Sequence, residues 1–125
     1  MSAAFEPMVW DVITQANEDY AGLYEIVWSF RSNFLPDVPE SKVRAAAREA
    51  VMTVLERGYA RLVWFRVEPP SHPREMTRRE IAEVLASPAS WRPPRSWEEE
   101  FPNLDITEEG ERAWLLSAGP RRPYK

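Results

Sequence analysis

Apolar side chains recur at intervals of three and four between residues 17 and 34, which places them on one face of a predicted helix. Asn17 or Asp19 can cap its start, and Pro36 ends it because the residue before a proline is displaced from the α region. The face consists of Tyr20, Leu23, Val27, Phe30 and Phe34, widened by Tyr24, Ile26 and Trp28. Residues 1–16 are also largely apolar but broken by Pro7, so they predict either a short helix or an extended arm.

A second helix is predicted from residues 37–41, where Asp37 or Ser41 can cap and Pro39 fits the first turn. Its apolar positions keep helical spacing as far as Gly58, the expected C-terminal cap. These positions are Val43, Ala47, Ala50, Val51, Val54 and Leu55. Residues 59–67 are then rich in β-branched and aromatic side chains, which predicts a strand.

Prolines restrict the following segment to short elements. Residues 68–75 contain three prolines and are expected to form a loop. Residues 77–80 (Thr-Arg-Arg-Glu) match a capping box, so a short helix with Ile81, Val84 and Leu85 on one face is expected. Further prolines predict irregular chain around Trp91 and Trp97.

The C-terminal part is predicted to contain a short strand at residues 104–106. Thr107 can cap a last helix or turn that runs through residues 114–116. Residues 119–125 are basic and contain prolines, so we expect them to fray.

The order of these elements resembles that of winged-helix proteins. Residues 54–62 (Val-Leu-Glu-Arg-Gly-Tyr-Ala-Arg-Leu) are similar to the junction of recognition helix, glycine and strand. Residues 106–111 (Ile-Thr-Glu-Glu-Gly-Glu) are similar to the turn that joins the last wing strand to a final helix. The resemblance implies three helices before the first wing strand, and only residues 1–16 can supply the third. It also implies an insertion, since 34 residues, Glu68 to Phe101, separate two strands usually joined by a short wing.

We therefore predict one α+β domain, winged-helix-like, with helices packed on a two- to three-stranded antiparallel sheet. Its expected parts are an arm (1–16), a helix-helix-strand unit (17–67), an insertion with a helix and a Trp/Pro-rich loop (68–101), a strand with a closing turn or helix (102–118) and a tail (119–125).

Composition excludes several chemistries. The chain has 125 residues, no cysteine and one histidine, which removes thiolate nucleophiles, Cys-ligated metals and multi-histidine sites. The four glycines are isolated, so no Gly-rich phosphate loop exists. His72 beside Glu68 and Glu75 is a candidate general base, but a solvated loop histidine is the commoner arrangement. We expect neither an enzyme nor a cofactor.

Charge is distributed unevenly along the chain. The net charge is −4, with −4 in residues 1–36, +3 in residues 37–97 and −3 in residues 98–125. The acidic runs 98–100 and 108–111 are candidates for a cation site, for a solvated face, or for an acidic face toward a basic protein. We expect no bound metal.

The basic middle of the chain supports a DNA-binding hypothesis. Lys42, Arg44 and Arg48 lie on the second helix, where small neighbours such as Ala45 would let it enter a major groove. Phosphate contacts could come from Arg61 and Arg66 on the strand and from Arg78 and Arg79. A solvent-exposed face with charge pairs is the alternative.

Six tryptophans are the least ordinary feature. Trp28, Trp64 and Trp114 are expected in the core. Trp91 and Trp97 are expected to be half-exposed, and tryptophan with arginine is typical of interface hot spots, although both rings could instead cover the helices. The candidate partner-binding residues are Trp91, Arg92, Arg95, Trp97, Glu98, Glu99 and Glu100.

The leading hypothesis is a cytoplasmic protein-binding or regulatory module, one version being an acidic inhibitor or immunity-type partner of a basic protein. A winged-helix DNA-binding regulator is the alternative, and a homodimer is a further option. Residues 1–7 lack the features of a signal peptide, and no window has the ~20 apolar residues of a membrane span, so no membrane association is expected.

Overall fold

Five α-helices pack with an open, four-stranded antiparallel sheet in the computed structural model, which describes residues 6–118. The elements in chain order are α1 (Pro7–Glu18), β1 (Ala21–Gly22), α2 (Leu23–Asn33), α3 (Glu40–Glu56), β2 (Ala60–Phe65), β3 (Arg74–Glu75), α4 (Arg78–Ala86), a 3₁₀ helix (Pro88–Trp91), β4 (Phe101–Ile106) and α5 (Glu108–Ala118). The strand order is β1-β4-β2-β3. The α+β prediction is confirmed, and the sheet has one strand more than the two to three expected.

The prediction of a single helix over residues 17–34 is wrong in its first part, because residues 19–22 are not helical. The chain is extended at β1, where Gly22 pairs with Asn103 of β4, and α2 begins only at Leu23. Neither Asn17 nor Asp19 caps this helix, because its N-cap residue is Gly22, whose own N–H donates to the Glu25 carboxylate at 2.8 Å. The strand pairing is a long-range contact, which local helical spacing does not reveal.

The sequence left a short helix and an extended arm open for residues 1–16, and residues 7–16 are helical. Pro7 stands in the first turn of α1, where its missing N–H costs nothing. The buried face of α1 consists of Val9, Val12, Ile13 and Ala16. Three helices therefore precede β2.

The start of α3 differs from the prediction, whereas its end agrees with it. Pro39 occupies the N-cap position and no side chain caps the helix, so neither Asp37 nor Ser41 has that role. Gly58 follows the helix with a φ of 74°, the left-handed conformation in which glycine is least strained.

The central ladder joins β2 to β4, from Ala60 opposite Ile106 to Phe65 opposite Phe101. Thr107 closes this ladder onto the end of α3. Its Oγ1 donates to the Gly58 carbonyl at 2.7 Å and accepts the Gly110 N–H at 3.0 Å. A Cβ at Gly110 would lie 1.9 Å from the Tyr59 carbonyl oxygen, so only glycine allows this close approach.

The inserted helix α4 begins at the predicted capping box. Glu80 N–H donates to Thr77 Oγ1 at 3.1 Å, and Thr77 N–H donates to Glu80 Oε1 at 2.9 Å. Val84 and Leu85 of α4 join the core formed by α1, α2, α3 and the sheet. The insertion is therefore partly a structural component of the domain.

The tryptophans are distributed differently from the prediction. Trp64 and Trp114 are partly buried against the core, but Trp28, expected inside, is 57% exposed. Trp28 lies on the side of α2 away from Val27 and Phe30, which fill the core.

None of the helices in residues 6–118 is long and apolar enough to cross a bilayer. The expected fraying of residues 119–125 lies outside the described residues.

Candidate functional site

A cavity of about 420 Å³ opens where the start of α2 meets the end of the β2–β4 ladder. We call it the aromatic pocket, because five rings line it: Tyr20, Tyr24, Phe65, Trp97 and Phe101. The rings come from four parts of the chain. Tyr20 precedes β1, Tyr24 lies on α2 and Phe65 on β2, and the last part runs from Trp97 to Phe101 at the start of β4. The pocket thus exists only in the assembled fold.

The rings of the pocket support one another. Tyr20 stacks on Phe65 with 4.6 Å between ring centroids, and Trp97 lies 5.9 Å from Phe101. Tyr24 and Phe101, 6.0 Å apart, are almost fully buried and form the floor. These offset and tilted arrangements are the preferred geometries of aromatic pairs.

Gly22 determines how closely the floor rings approach the backbone. A Cβ at this position would lie 2.6 Å from Cε1 of Tyr24 and 3.1 Å from Cε2 of Phe101. Any larger residue would therefore displace at least one ring. Glycine here serves close packing, since its φ of −66° is open to every residue type.

Two carboxylates, Asp19 and Glu25, also line the pocket, and no lysine or arginine from residues 6–118 does. Each has one oxygen bound to a local backbone N–H: Tyr20 N–H donates to Asp19 at 2.7 Å, and Gly22 N–H to Glu25. Burial raises the pKa of the Tyr24 hydroxyl, and the neighbouring Glu25 carboxylate raises it further. The pocket is therefore apolar with negative charge at its edge.

The rim of the pocket is exposed and apolar. Trp97 is 47% exposed, and Val67 is also exposed. Trp28 extends this surface, because its ring packs edge-on against Tyr24 at 4.9 Å. The part of Trp97 that does not cover Phe101 is thus available to a partner.

The structure places the predicted partner-binding residues in two environments. The expectation of a half-exposed Trp91 is wrong: it is 4% exposed in the core, and its Nε1–H donates to the Leu85 carbonyl at 3.3 Å. The 3₁₀ helix carries it inward against α2. The other six are exposed, namely Arg92, Arg95, Trp97, Glu98, Glu99 and Glu100. Glu100 forms an ion pair with Arg74 at 3.6 Å.

Three of the predicted DNA-binding residues, Arg44, Arg61 and Arg66, are engaged with other groups of the protein. Arg44 lies 3.7 Å from Glu40, which also pairs with Arg31 at 3.3 Å. Arg61 is held between Glu75 and Asp105, and its hydrogen bond to Asp105 is the main reason its pKa rises above the ordinary value.

The remaining predicted DNA contacts are dispersed. Arg66 donates to the Pro69 carbonyl at 2.9 Å, whereas Lys42, Arg48, Arg78 and Arg79 are exposed. A smaller cavity of about 170 Å³ separates Arg44 and Arg48 from Pro88 and Trp91. The insertion therefore lies alongside the face of α3 that was expected to meet DNA.

The other candidate chemistry is not assembled in the described part of the chain. His72 is exposed in its loop, and Glu75 binds Arg61. Residues 6–118 contain no group of three or more His, Asp or Glu side chains that could hold a metal ion. The acidic runs 98–100 and 108–111 are thus not brought together as a cation site.

Sequence reasoning missed most of the pocket. Tyr20 and Tyr24 were assigned to a core helix face, Phe65 to a strand and Asp19 to a helix cap. One signal could have found it: Tyr24 and Trp28 are four residues apart and form a second aromatic face on α2, beside the one that the core requires.

No protein-family model, curated protein or solved structure matches the chain significantly.

Proposed function

We propose that this protein is a non-enzymatic binding module that docks a basic protein partner at the aromatic pocket and its rim. The observation that carries the proposal is the exposure of Trp28, Trp97 and Val67 around a pocket in which the charged lining residues, within the described part of the chain, are both carboxylates. Large aromatic anchors that remain accessible in a folded domain are typical of interface hot spots.

Charge supports a basic partner. Glu98 and Glu99 follow Trp97 directly and are exposed, and the chain as a whole carries −4. An acidic surface speeds the encounter with a basic protein and disfavours acidic ones. An inhibitor or immunity-type partner of a basic protein, acting in the cytoplasm, is the version of this function that we favour.

Site-specific photo-cross-linking tests the proposal. The photoreactive residue p-benzoylphenylalanine replaces Trp97 in one variant and Leu116 in a matched control, since Leu116 is 76% exposed but lies on α5 outside the pocket lining. We expect a discrete adduct in native cell extract from the Trp97 position only. The adduct identifies the partner, which is then purified.

Titration with the purified partner decides the outcome. Loss of a hot-spot tryptophan costs about 2 kcal/mol or more, so Trp97→Ala should weaken binding by about 30-fold, whereas Leu116→Ala should leave it unchanged. Equal affinities of the wild type and Trp97→Ala, or a partner with an acidic contact surface, would refute the proposal.

DNA binding is the second candidate function, and one observation favours it. Three helices precede β2, and the Thr107–Gly110 turn closes the ladder, as the winged-helix resemblance implies. The test is a mobility shift of random duplex at low salt, compared with an Arg44→Ala/Arg48→Ala double variant. Binding that falls steeply with salt and disappears in the double variant would favour DNA over protein.

A further inference from the structure

We infer that the aromatic pocket receives an arginine side chain of the partner, with the guanidinium between the rings and the two carboxylates. This inference rests on the proposed function, because it names the group that the docking site recognises. Three features of the pocket carry it: the ring faces, the carboxylate oxygens that bind no backbone N–H, and the absence of a lysine or arginine among the lining residues that the structure describes.

The ring faces provide the first recognition element. Aromatic faces carry negative electrostatic potential, and a guanidinium stacks on them as a flat cation. The exposed edge of the pocket offers such faces on Trp97 and on the half-buried pair Tyr20 and Phe65. A neutral apolar group could also be buried here, but it would leave the two carboxylates without a cationic partner.

The carboxylates provide the second element. The backbone N–H groups of Tyr20 and Gly22 engage one oxygen each of Asp19 and Glu25, and neither residue forms an ion pair within residues 6–118. This differs from the sheet edge, where Arg61 and Arg74 pair with four nearby acids. The unpaired oxygens beside the rings match the fork of N–H donors that a guanidinium presents.

Arginine is favoured over lysine by the shape of the site. Its guanidinium stacks and donates several hydrogen bonds from one plane, whereas the lysine ammonium is a compact and strongly hydrated charge. A volume of about 420 Å³ exceeds what one side chain fills, so the residues flanking the arginine also enter. The ligand to test is therefore a short peptide.

The experiment titrates the full chain with acetyl-Gly-Arg-Gly-amide and follows the indole N–H signals in ¹⁵N-resolved NMR spectra. Trp97 reports on the pocket, while buried Trp91 and the Trp114 indole, bonded to Thr14, are internal controls. We expect saturable shifts at Trp97 and none at Trp91 or Trp114, with a Kd in the millimolar range. The citrulline peptide, which keeps the shape but not the charge, should bind at least about tenfold more weakly.

Conservative variants separate charge from fold. Asp19→Asn and Glu25→Gln retain an acceptor for the N–H groups of Tyr20 and Gly22 but remove the charge, so both should fold and bind the arginine peptide more weakly. Glu49→Gln, an exposed acid on α3, is the matched control and should bind normally.

Each remaining outcome overturns the inference. These outcomes are equal binding of the arginine and citrulline peptides, stronger binding of the matched lysine peptide acetyl-Gly-Lys-Gly-amide than of the arginine peptide, or no shift at Trp97 up to tens of millimolar. In all three, a partner whose affinity depends on Trp97 would leave the proposed function intact. If the arginine peptide binds at the pocket but the affinity of the protein partner does not change in Trp97→Ala, the proposed function is refuted and the arginine inference is not.

Discussion

Trp91 and Trp97 lie six residues apart in one segment rich in proline and arginine, yet one is in the core and the other on the surface. Trp91 ends the 3₁₀ helix that follows α4 after Ser87, and its indole N–H donates to the Leu85 carbonyl near the end of α4. Trp97 comes after two prolines, in a turn where Ser96 Oγ and the Ser96 carbonyl accept the N–H groups of Glu98 and Glu99. The regular element that precedes a tryptophan, more than its immediate neighbours, determines whether its ring reaches the core.

The largest effect expected from this difference is on stability. Trp91→Ala removes a buried ring and leaves a cavity, which should lower the free energy of unfolding by about 3–5 kcal/mol. Trp97→Ala, the matched control, should change it by less than about 1 kcal/mol because most of its contacts are on the surface. Urea denaturation of both variants measures the contrast, and comparable losses would show that Trp97 is also structural.

An intermediate effect is expected where α4 begins. Thr77→Ala removes the acceptor for the Glu80 N–H and should cost about 1 kcal/mol, whereas Thr77→Ser should keep most of the stability. Since α4 carries the 3₁₀ helix that positions Trp91, amide hydrogen exchange should accelerate in residues 78–91 before it does in α3. Uniform acceleration throughout the domain would mean that the insertion does not open separately.

The smallest effect expected is a pH dependence of the same cap. The pKa of Glu80 lies below its ordinary value of 4.5, chiefly because the Thr77 N–H donates to its carboxylate, with further contributions from Trp64 and Arg74. A lowered folded-state pKa stabilises the protein above the unfolded-state pKa, and this contribution is lost as pH falls through the folded-state pKa.

The stability difference between wild type and Glu80→Gln should therefore shrink on acidification below about pH 4.5. Because the Glu80 side chain is partly exposed to solvent, the difference should be small and should decrease with added salt. Thermal melts at several pH values would measure it. A difference that grows on acidification would contradict the sign.

The local elements were predictable because short-range rules determine them. The capping box at Thr77, the glycine after α3 and the β-branched and aromatic run over residues 59–67 each act within a few residues. The extended chain at Gly22 was not predictable, because it depends on Asn103 of β4. The pocket was missed for the same reason, since it combines rings from distant parts of the sequence.

The ladder between β2 and β4 has a consequence for the order in which the molecule forms. Its two strands are separated by 35 residues (66–100), whereas α1, α2 and α3 are joined by short connections. Closing a loop of this length costs roughly 3 kcal/mol of chain entropy, so contacts between the first three helices should form early and the ladder late. The rings that surround the pocket then meet only at the last step. A newly made chain would therefore lack the aromatic pocket until the ladder between β2 and β4 has formed.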